Sequence, residues 1–302
     1  MLRLCDPNNC RSWSDSLTLH RPRCIRHPCA VASPANLGQA GDGNRGEMEL
    51  RSFDGRHALI TGGGSGIGAA TARMLAAKGA TVSLLGRRLD ALQSVADETG
   101  ASPFACDVTD RAALEAAFDA ARAANGPFDF VILNAGIGDS APFARTSRAS
   151  FDAIIATNLT AVFDGAQLAL PDLLTGADKR LIVVASVAGL KGGAYAAPYV
   201  ASKHGVVGLV KSLALEFAKT SLTINAVCPS FVDTPMVDDS ATRISRATSR
   251  SVDQSRDALA ALNASGRLVT ADEVASSIIN LCLPLSRSIN GALVTIDGGT
   301  SA

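Results

Sequence analysis

Residues 57–80, HALITGGGSGIGAATARMLAAKGA, decide the fold of this chain. The stretch opens with a short apolar run typical of a strand, passes through a glycine-rich turn, and continues as a helical pattern that ends at Gly79. Without side chains at Gly62, Gly66 and Gly68, the backbone can turn tightly and approach a bound group. A helix that begins directly after such a turn offers N–H groups and a positive dipole to a pyrophosphate. The stretch therefore predicts a dinucleotide site; the alternative is a tight turn in which glycine is merely permissive.

Downstream of this stretch, short β-branched runs alternate with longer Ala-rich helical patterns. This alternation is typical of a parallel sheet with crossover helices. Seven candidate strands span residues 57–61, 81–85, 104–106, 130–133, 181–185, 223–227 and 293–296. The sequence therefore predicts an α/β fold with one doubly wound, seven-stranded parallel sheet and helices on both of its faces.

The start of the chain differs in character from the rest. Residues 1–47 show neither strand nor helix periodicity and are predicted to be a disordered leader outside the native protein, with Met48 as the candidate natural start. Four cysteines of this leader are spaced more widely than the usual ligands of structural zinc, so no metal site is assigned to Cys5, Cys10, Cys24 and Cys29. Residues 48–302 are predicted to form one domain with a small helical lid insert at about 238–267.

Composition and charge narrow the class of protein. The 302-residue chain is 47% hydrophobic with a formal net charge of zero, so it can bury a core and has no basic excess for nucleic acid. No uninterrupted apolar run reaches the roughly 20 residues of a membrane-spanning helix, so no membrane segment is expected. Cys106, Cys228 and Cys282 lie singly in apolar segments and are expected to be buried thiols in a reducing, cytoplasmic compartment.

The end of the second candidate strand bears on the choice of coenzyme. An acidic residue there would accept a hydrogen bond from a free ribose 2′-hydroxyl, but the chain has Gly86, Arg87 and Arg88. Because a guanidinium can bind a 2′-phosphate, NADP(H) is favoured, with NAD(H) as the alternative. Against this, both arginines can equally be solvated surface residues, and Ser65 adds no second positive charge in the glycine turn.

A tyrosine and a lysine in YVASK, Tyr199 and Lys203, are spaced to share one face of a helix. A phenol has an ordinary pKa of about 10, and a neighbouring ammonium favours the phenolate. The pair can therefore act in proton transfer. Taken alone, the motif fits a surface tyrosine with a solvated lysine better.

The motifs occur together in one order: TGGGSGIG at residues 61–68, NAG at 134–136, Asn158, Ser186 and YVASK at 199–203. In this combination the chain closely resembles the short-chain dehydrogenase/reductase family, from about Met48 to the C-terminus. The resemblance implies a Rossmann-like fold and an NAD(P)-dependent oxidoreductase. Such an enzyme transfers a hydride between nicotinamide and a secondary alcohol or ketone; a 3-oxoacyl or 3-hydroxyacyl thioester is one candidate substrate.

The resemblance also implies the roles of individual residues. Tyr199 is expected to move the proton, and Lys203 to bind the nicotinamide ribose and lower the tyrosine pKa. Ser186 is expected to hydrogen-bond the substrate oxygen, and Asn158 to hold a water in a proton relay; no metal is required. The expected coenzyme-binding residues are Gly62, Ser65, Gly66, Ile67, Gly68, Arg87, Asp107, Val108, Asn134, Ala135, Gly136, Tyr199, Lys203, Pro229, Val232 and Thr234. Considered singly, Asp107 also fits a turn cap and Asn134 a turn former.

Ser230 departs from the family pattern, because the family usually has glycine after the proline at this point. If this position needs a positive φ, serine there would strain the loop by about 1 kcal/mol or more. The geometry of the loop that follows the sixth strand is therefore in question.

The substrate and partners are less defined. Arg243, Arg246 and Arg250 are spaced to align on one helical face, where they can meet the phosphates of a CoA or acyl-carrier substrate or simply be solvated. Small cyclic alcohols and steroids are further candidates, and the resemblance implies a homodimer or homotetramer. The alternative class is a non-catalytic dinucleotide-binding regulator of the same fold, which would be expected to lose Tyr199, Lys203 or Ser186. A nucleotide-sugar epimerase fits less well, because its glycine spacing differs.

Overall fold

The computed structural model describes residues 53–302, and these contain one parallel sheet of seven strands. The predicted leader, its four cysteines and the candidate start at Met48 lie outside the described residues. The strands are β1 (His57–Thr61), β2 (Thr81–Gly86), β3 (Ser102–Ala105), β4 (Phe130–Leu133), β5 (Lys179–Val184), β6 (Leu222–Pro229) and β7 (Leu293–Ile296). Their order across the sheet is β3-β2-β1-β4-β5-β6-β7, as a doubly wound sheet requires.

Helices cover both faces of this sheet. They are α1 (Gly66–Ala77), α2 (Leu89–Thr99), α3 (Arg111–Asn125), α4 (Arg148–Ile155), α5 (Ala161–Leu173), α6 (Ala197–Glu216), α7 (Pro235–Ala247), α8 (Val252–Ala260) and α9 (Ala271–Cys282). Consecutive strand residues such as Leu59 and Ile60 belong to two separate buried clusters, because successive side chains of a strand point to opposite faces of the sheet. The seven strands therefore lie between two apolar layers.

The chain order reverses between β1 and β4, which pair with each other at the centre of the sheet. The connection after β1 leads to β2 on one side, and the connection after β4 leads to β5 on the other. Loops that leave the carboxyl ends of these two strands diverge and leave a crevice, which is where doubly wound folds bind ligands. The glycine turn after β1 and the NAG segment after β4 both lie at this crevice.

Strand β5 begins earlier than the sequence predicts, because two charged residues at its start are buried. Lys179 Nζ donates to Asp129 Oδ1 at 3.0 Å, and Arg180 is 0% exposed. The Arg180 guanidinium donates to the carbonyls of Leu281 (3.1 Å) and Leu283 (3.2 Å), at the end of α9. These partners are more than a hundred residues away from Arg180 in sequence, so a local pattern could not reveal them.

The insert before the last helix contains α7 and α8, and α7 begins at Pro235, slightly before the predicted boundary. Thr270 and Glu273 have the sequence spacing of a capping box, which predicts a helix start. The box is present at α9: Thr270 Oγ1 accepts from the Glu273 N–H at 3.1 Å, and Glu273 accepts from the Thr270 N–H at 2.7 Å. The last helix thus starts where the sequence predicts.

One helical stretch, Arg148–Leu173, has the length and apolar composition of a membrane-spanning helix. It contains no uninterrupted apolar run of about 20 residues, because polar residues such as Asn158 and Asp164 lie within it. Its α5 part packs against β4 and β5 through Ala166, Ala169 and Leu173, as a core helix does. The length and composition of this stretch therefore do not assign it to a membrane.

Candidate active site

The glycine turn after β1 leaves no room for side chains. Gly62 and Gly66 have φ values of 68° and 52°, a region that favours glycine. A Cβ on Gly68 would lie 2.3 Å from the Gly62 carbonyl oxygen, so α1 packs directly on the turn. Within the described residues no side chain caps the first turn of α1, whose N-cap residue is Ser65. This close-packed turn and the first N–H groups of the helix suit a pyrophosphate.

Asn134 holds the glycine turn against the end of β4. Its Nδ2 donates to the carbonyls of Thr61 (2.9 Å) and Gly62 (3.1 Å), and Thr61 Oγ1 accepts from the N–H groups of Asn134 and Ala135. The side chain therefore joins the two loops at the crevice, as expected for a turn former. Its expected contact with the adenine ribose stays a prediction.

A cavity of about 330 Å³ opens beside this turn. Six of the predicted coenzyme residues line it: Gly62, Arg87, Asp107, Val108, Ala135 and Gly136. Sequence reasoning missed Thr109, Ile137 and Thr157, which also line the cavity. Thr109 and Ile137 directly follow predicted coenzyme residues, and Thr157 directly precedes Asn158. This adjacency in sequence is the only feature from which their place at the cavity could have been predicted.

Asp107 is an exposed residue that lines this cavity. Its Oδ1 accepts from Thr109 N at 3.0 Å and from Thr109 Oγ1 at 2.8 Å, which is the cap geometry. These hydrogen bonds and the nearby Arg87 guanidinium hold the pKa of Asp107 below its ordinary value. Asp107 is therefore an ionised acceptor at neutral pH.

Asn158 lies in a short π-helical segment, Ala156–Thr160, between α4 and α5. The side chain is fully buried: Oδ1 accepts from Ile137 N at 2.9 Å, and Nδ2 donates to Ile137 O at 2.9 Å. A Cβ on Gly136 would lie 3.3 Å from Asn158 Oδ1 and 3.8 Å from Lys203 Nζ. The amide and the ammonium thus meet at the NAG segment, as the predicted site requires.

Ser186 lies two residues after the end of β5 and is the N-cap of a short 3₁₀ turn. Its Oγ accepts from Ala188 N at 3.1 Å and donates to Pro229 O at 3.3 Å. The serine is buried, and its hydroxyl lies between the carboxyl ends of β5 and β6. This places it at the edge of the sheet where the other predicted catalytic residues converge.

Tyr199 and Lys203 lie one turn apart in α6, with Lys203 Nζ 5.7 Å from the centre of the tyrosine ring. The ammonium donates to Val184 O at 2.8 Å, and burial lowers the pKa of Lys203 to about 8. Burial raises the pKa of Tyr199, while the Ser186 hydroxyl acts in the opposite direction. In this arrangement the Lys203 ammonium bonds the Val184 carbonyl, and its expected lowering of the tyrosine pKa stays a prediction.

The loop after β6, residues 230–234, also contacts the glycine turn. Thr234 packs on Gly66, where an added Cβ would lie 2.9 Å from Thr234 Cγ2, and Val232 forms a parallel bridge with Val269. Ser230 is not strained: among the described residues, the only non-glycine residues with positive φ are Asp178 and Tyr195. Serine at this position therefore does not strain the backbone of the loop.

One further sequence-based prediction is wrong, namely the alignment of three arginines of the insert on one helical face. Helix α7 ends at Ala247, so Arg250 does not share a helical face with Arg243 and Arg246. Arg243 donates instead to Gly138 O at 3.2 Å and to Ser240 Oγ at 3.0 Å. The three arginines therefore form no common phosphate-facing row.

In residues 53–302 no group of three or more His, Cys, Asp or Glu side chains is placed to hold a metal ion.

A crevice with a close-packed glycine turn, and with a tyrosine, a lysine and a serine at its edge, fits the class of nicotinamide-dependent oxidoreductases. A family model described as short chain dehydrogenase matches residues 56–244, and the chain belongs to this family. It is accordingly an NAD(P)-dependent oxidoreductase that moves a hydride between nicotinamide and an alcohol or ketone. The non-catalytic alternative is not supported, because the relatives are named as enzymes.

Two curated relatives illustrate the likeness. The D-beta-hydroxybutyrate dehydrogenase of Cupriavidus necator is 36% identical over 253 residues, covering 82% of this chain and 98% of the relative. The 3-oxoacyl-(acyl-carrier-protein) reductase FabG of Escherichia coli is 34% identical over 250 residues, covering 82% and 98%. A crystal structure of an actinorhodin polyketide ketoreductase with NADPH superimposes with a TM-score of 0.78 at 34% identity, covering 81% of this chain and 97% of that one. The family and fold predictions are thereby confirmed.

Proposed function

We propose that this enzyme uses NADP(H) to interconvert a ketone and a secondary alcohol, and that 3-oxoacyl compounds are its substrates. One observation carries the proposal: Asn158, Ser186, Tyr199 and Lys203 converge at the carboxyl edge of the sheet, beside the glycine turn. The relatives named above act on hydroxybutyrate and on 3-oxoacyl groups, which supports this substrate class.

The bound coenzyme would supply the hydride, and this chain's residues do the rest. Tyr199 gives its phenolic proton to the carbonyl oxygen during reduction, and its raised pKa keeps that proton in place at neutral pH. Ser186 holds the same oxygen by turning its hydroxyl away from Pro229 O. Lys203 binds the nicotinamide ribose, and Asn158 orders the water through which the proton is replaced.

The coenzyme-binding residues fall into three groups. Gly62, Ser65, Gly66, Ile67 and Gly68 bind the pyrophosphate, because α1 begins at this close-packed turn. The adenosine half is bound by Arg87, Asp107, Val108, Asn134, Ala135 and Gly136, since most of them line the cavity. Pro229, Val232 and Thr234 bind the nicotinamide half together with Tyr199 and Lys203.

Arg87 decides the preference for NADP(H). We expect Arg87→Asp to lower kcat/KM for NADPH relative to NADH by about tenfold or more, because a charge-assisted bond to the 2′-phosphate is lost. Initial rates with both coenzymes measure this ratio. Arg88→Asp is the matched control, because Arg88 is equally exposed but does not line the cavity. An unchanged ratio in Arg87→Asp, or a larger change in Arg88→Asp, would remove Arg87 from this role.

The substrate class is tested by NADPH oxidation against a panel. The panel contains a 3-oxoacyl-CoA, its truncated thioester, acetoacetate, a cyclic diketone and a ketosteroid. We expect the two thioesters to give the highest kcat/KM with similar values, because the arginines of the insert form no phosphate-facing row. A clear preference for the steroid or the cyclic diketone would overturn the proposed class.

Localisation and assembly are also part of the proposal. Cys106, Cys228 and Cys282 are buried free thiols, as expected of a protein from a reducing compartment, and we place this enzyme in the cytoplasm. We further propose that it assembles as a homodimer or homotetramer. Sedimentation of the purified protein measures that state directly.

A further inference from the structure

Asn263 lies in the turn after α8 and is only 1% exposed. All the hydrogen-bonding capacity of its amide is used within the protein. Oδ1 accepts from Ser230 Oγ and from Phe231 N (3.2 Å), while Nδ2 donates to Phe231 O (3.0 Å) and Arg267 O (2.7 Å). Three of these four bonds hold two consecutive residues, Ser230 and Phe231, at the start of the loop after β6.

These two residues lie beside groups of the proposed reaction. Pro229, directly before them, accepts the Ser186 hydroxyl hydrogen bond at 3.3 Å. Val232 and Thr234, directly after them, form the part of the loop that reaches the glycine turn at Gly66. Any shift of Ser230 is therefore transmitted to the serine on one side and to the nicotinamide contacts on the other.

The serine at position 230 supplies a bond that glycine could not make. Its φ is not positive, so nothing in the backbone requires glycine. Its hydroxyl instead donates to Asn263, which couples the loop to the segment between α8 and α9. Serine at this position and asparagine at 263 thus belong together.

We propose that Asn263 is a positioning residue, which fixes the loop 229–234 through Ser230 and Phe231 and thereby sets the nicotinamide contacts and the Ser186 hydroxyl. The proposal rests on the proposed function, because it assigns the loop to the nicotinamide half of the coenzyme. Asn263 does not line the cavity beside the glycine turn, so it is proposed to act only through the loop.

A second buried asparagine offers a matched control. Asn225 in β6 is also 1% exposed, donates to Ile289 O at 2.7 Å and accepts from Ala292 N at 2.9 Å. These contacts precede β7 and so lie at the opposite edge of the sheet from the crevice. Loss of Asn225 therefore disturbs stability without reaching the loop 229–234.

The experiment compares Ser230→Ala, Ser230→Thr, Asn263→Leu, the double variant Ser230→Ala/Asn263→Leu and Asn225→Leu. NADPH affinity is measured by fluorescence titration, kcat and KM by NADPH oxidation, and Tm by calorimetry. We expect Ser230→Ala and Asn263→Leu each to weaken NADPH binding and to lower kcat, and the two effects multiplied together should amount to roughly tenfold. Ser230→Thr should stay close to wild type, because it keeps the hydroxyl. Asn225→Leu should lower Tm with kcat and NADPH affinity unchanged.

The double variant shows whether the two side chains act as one unit. We expect it to be no worse than Asn263→Leu alone, since both single changes break the same hydrogen bond. If Asn263→Leu fails to fold, Ser230→Ala and its rescue by threonine carry the test. Unchanged NADPH affinity and kcat in Ser230→Ala, or independent effects in the double variant, would overturn the proposal. NADPH affinity is measured without turnover. A protein that binds NADPH but reduces no ketone would contradict the proposed function, and the NADPH affinities of the variants would still test the role of Asn263.

Discussion

Tyr199→Phe is expected to lower kcat by about 10²–10⁴-fold, because positioned acid catalysis is worth this much and the variant lacks only the phenolic oxygen. The ring stays in α6 with Lys203 Nζ against its face, so the packing of the crevice is retained. NADPH affinity should remain within about twofold, since no coenzyme contact other than that oxygen is removed. Stopped-flow turnover and a fluorescence titration of NADPH measure the two quantities.

The other tyrosine of the chain provides the control. Tyr195 is 66% exposed and lies just before α6, so Tyr195→Phe deletes the same atom from a solvated position. We expect its kcat to stay within about threefold of wild type, as for most surface substitutions. If Tyr199→Phe keeps wild-type turnover, or if the two variants lose activity equally, Tyr199 is not the proton donor.

Gly68→Ala is expected to disrupt the coenzyme site and destabilise the fold. The added Cβ would lie 2.3 Å from the Gly62 carbonyl oxygen and 2.7 Å from Asn134 Nδ2, both of which are fixed by the turn. Such overpacking costs typically about 1–3 kcal/mol, and the glycine turn must open to relieve it. We therefore expect a lower Tm and at least a tenfold loss of NADPH affinity, measured by calorimetry and fluorescence titration.

Gly208→Ala is the matched change in an open position. Gly208 is exposed in α6, and nothing lies within 4 Å of a Cβ placed there. Alanine should stabilise that helix by about 0.5–1 kcal/mol with NADPH affinity unchanged. Wild-type Tm and wild-type affinity in Gly68→Ala would show that the glycine turn is not the close-packed pyrophosphate site described above.

The sequence predicted what depends on local pattern. Strands β1, β4 and β7 have the predicted bounds, because their apolar runs end at clear turn residues. The residues of the crevice were also predictable, since the glycine turn and the Tyr199–Lys203 spacing are short-range features and the motif order links them. The roles of these residues remain predictions until the variants above are measured.

What could not be predicted depends on contacts between distant residues. The early start of β5 follows from the burial of Arg180 against carbonyls at the end of α9, and the relaxed backbone of Ser230 goes with its bond to Asn263. The raised pKa of Tyr199 follows from burial, which a helical spacing does not specify. Each of these effects requires the three-dimensional structure.

Arg180 also bears on the order in which the chain can fold during synthesis. Strand β5 is translated long before the carbonyls of Leu281 and Leu283 exist, yet its buried guanidinium bonds both of them. Without these two carbonyls the buried guanidinium keeps only Lys179 O and Asp178 as partners, and an incompletely paired buried charge is destabilising, so the burial of Arg180 is complete only once α9 has docked. The docking of α9 thus completes the burial of β5, and the stability of this layer of the sheet depends on a helix whose end is made more than a hundred residues after Arg180.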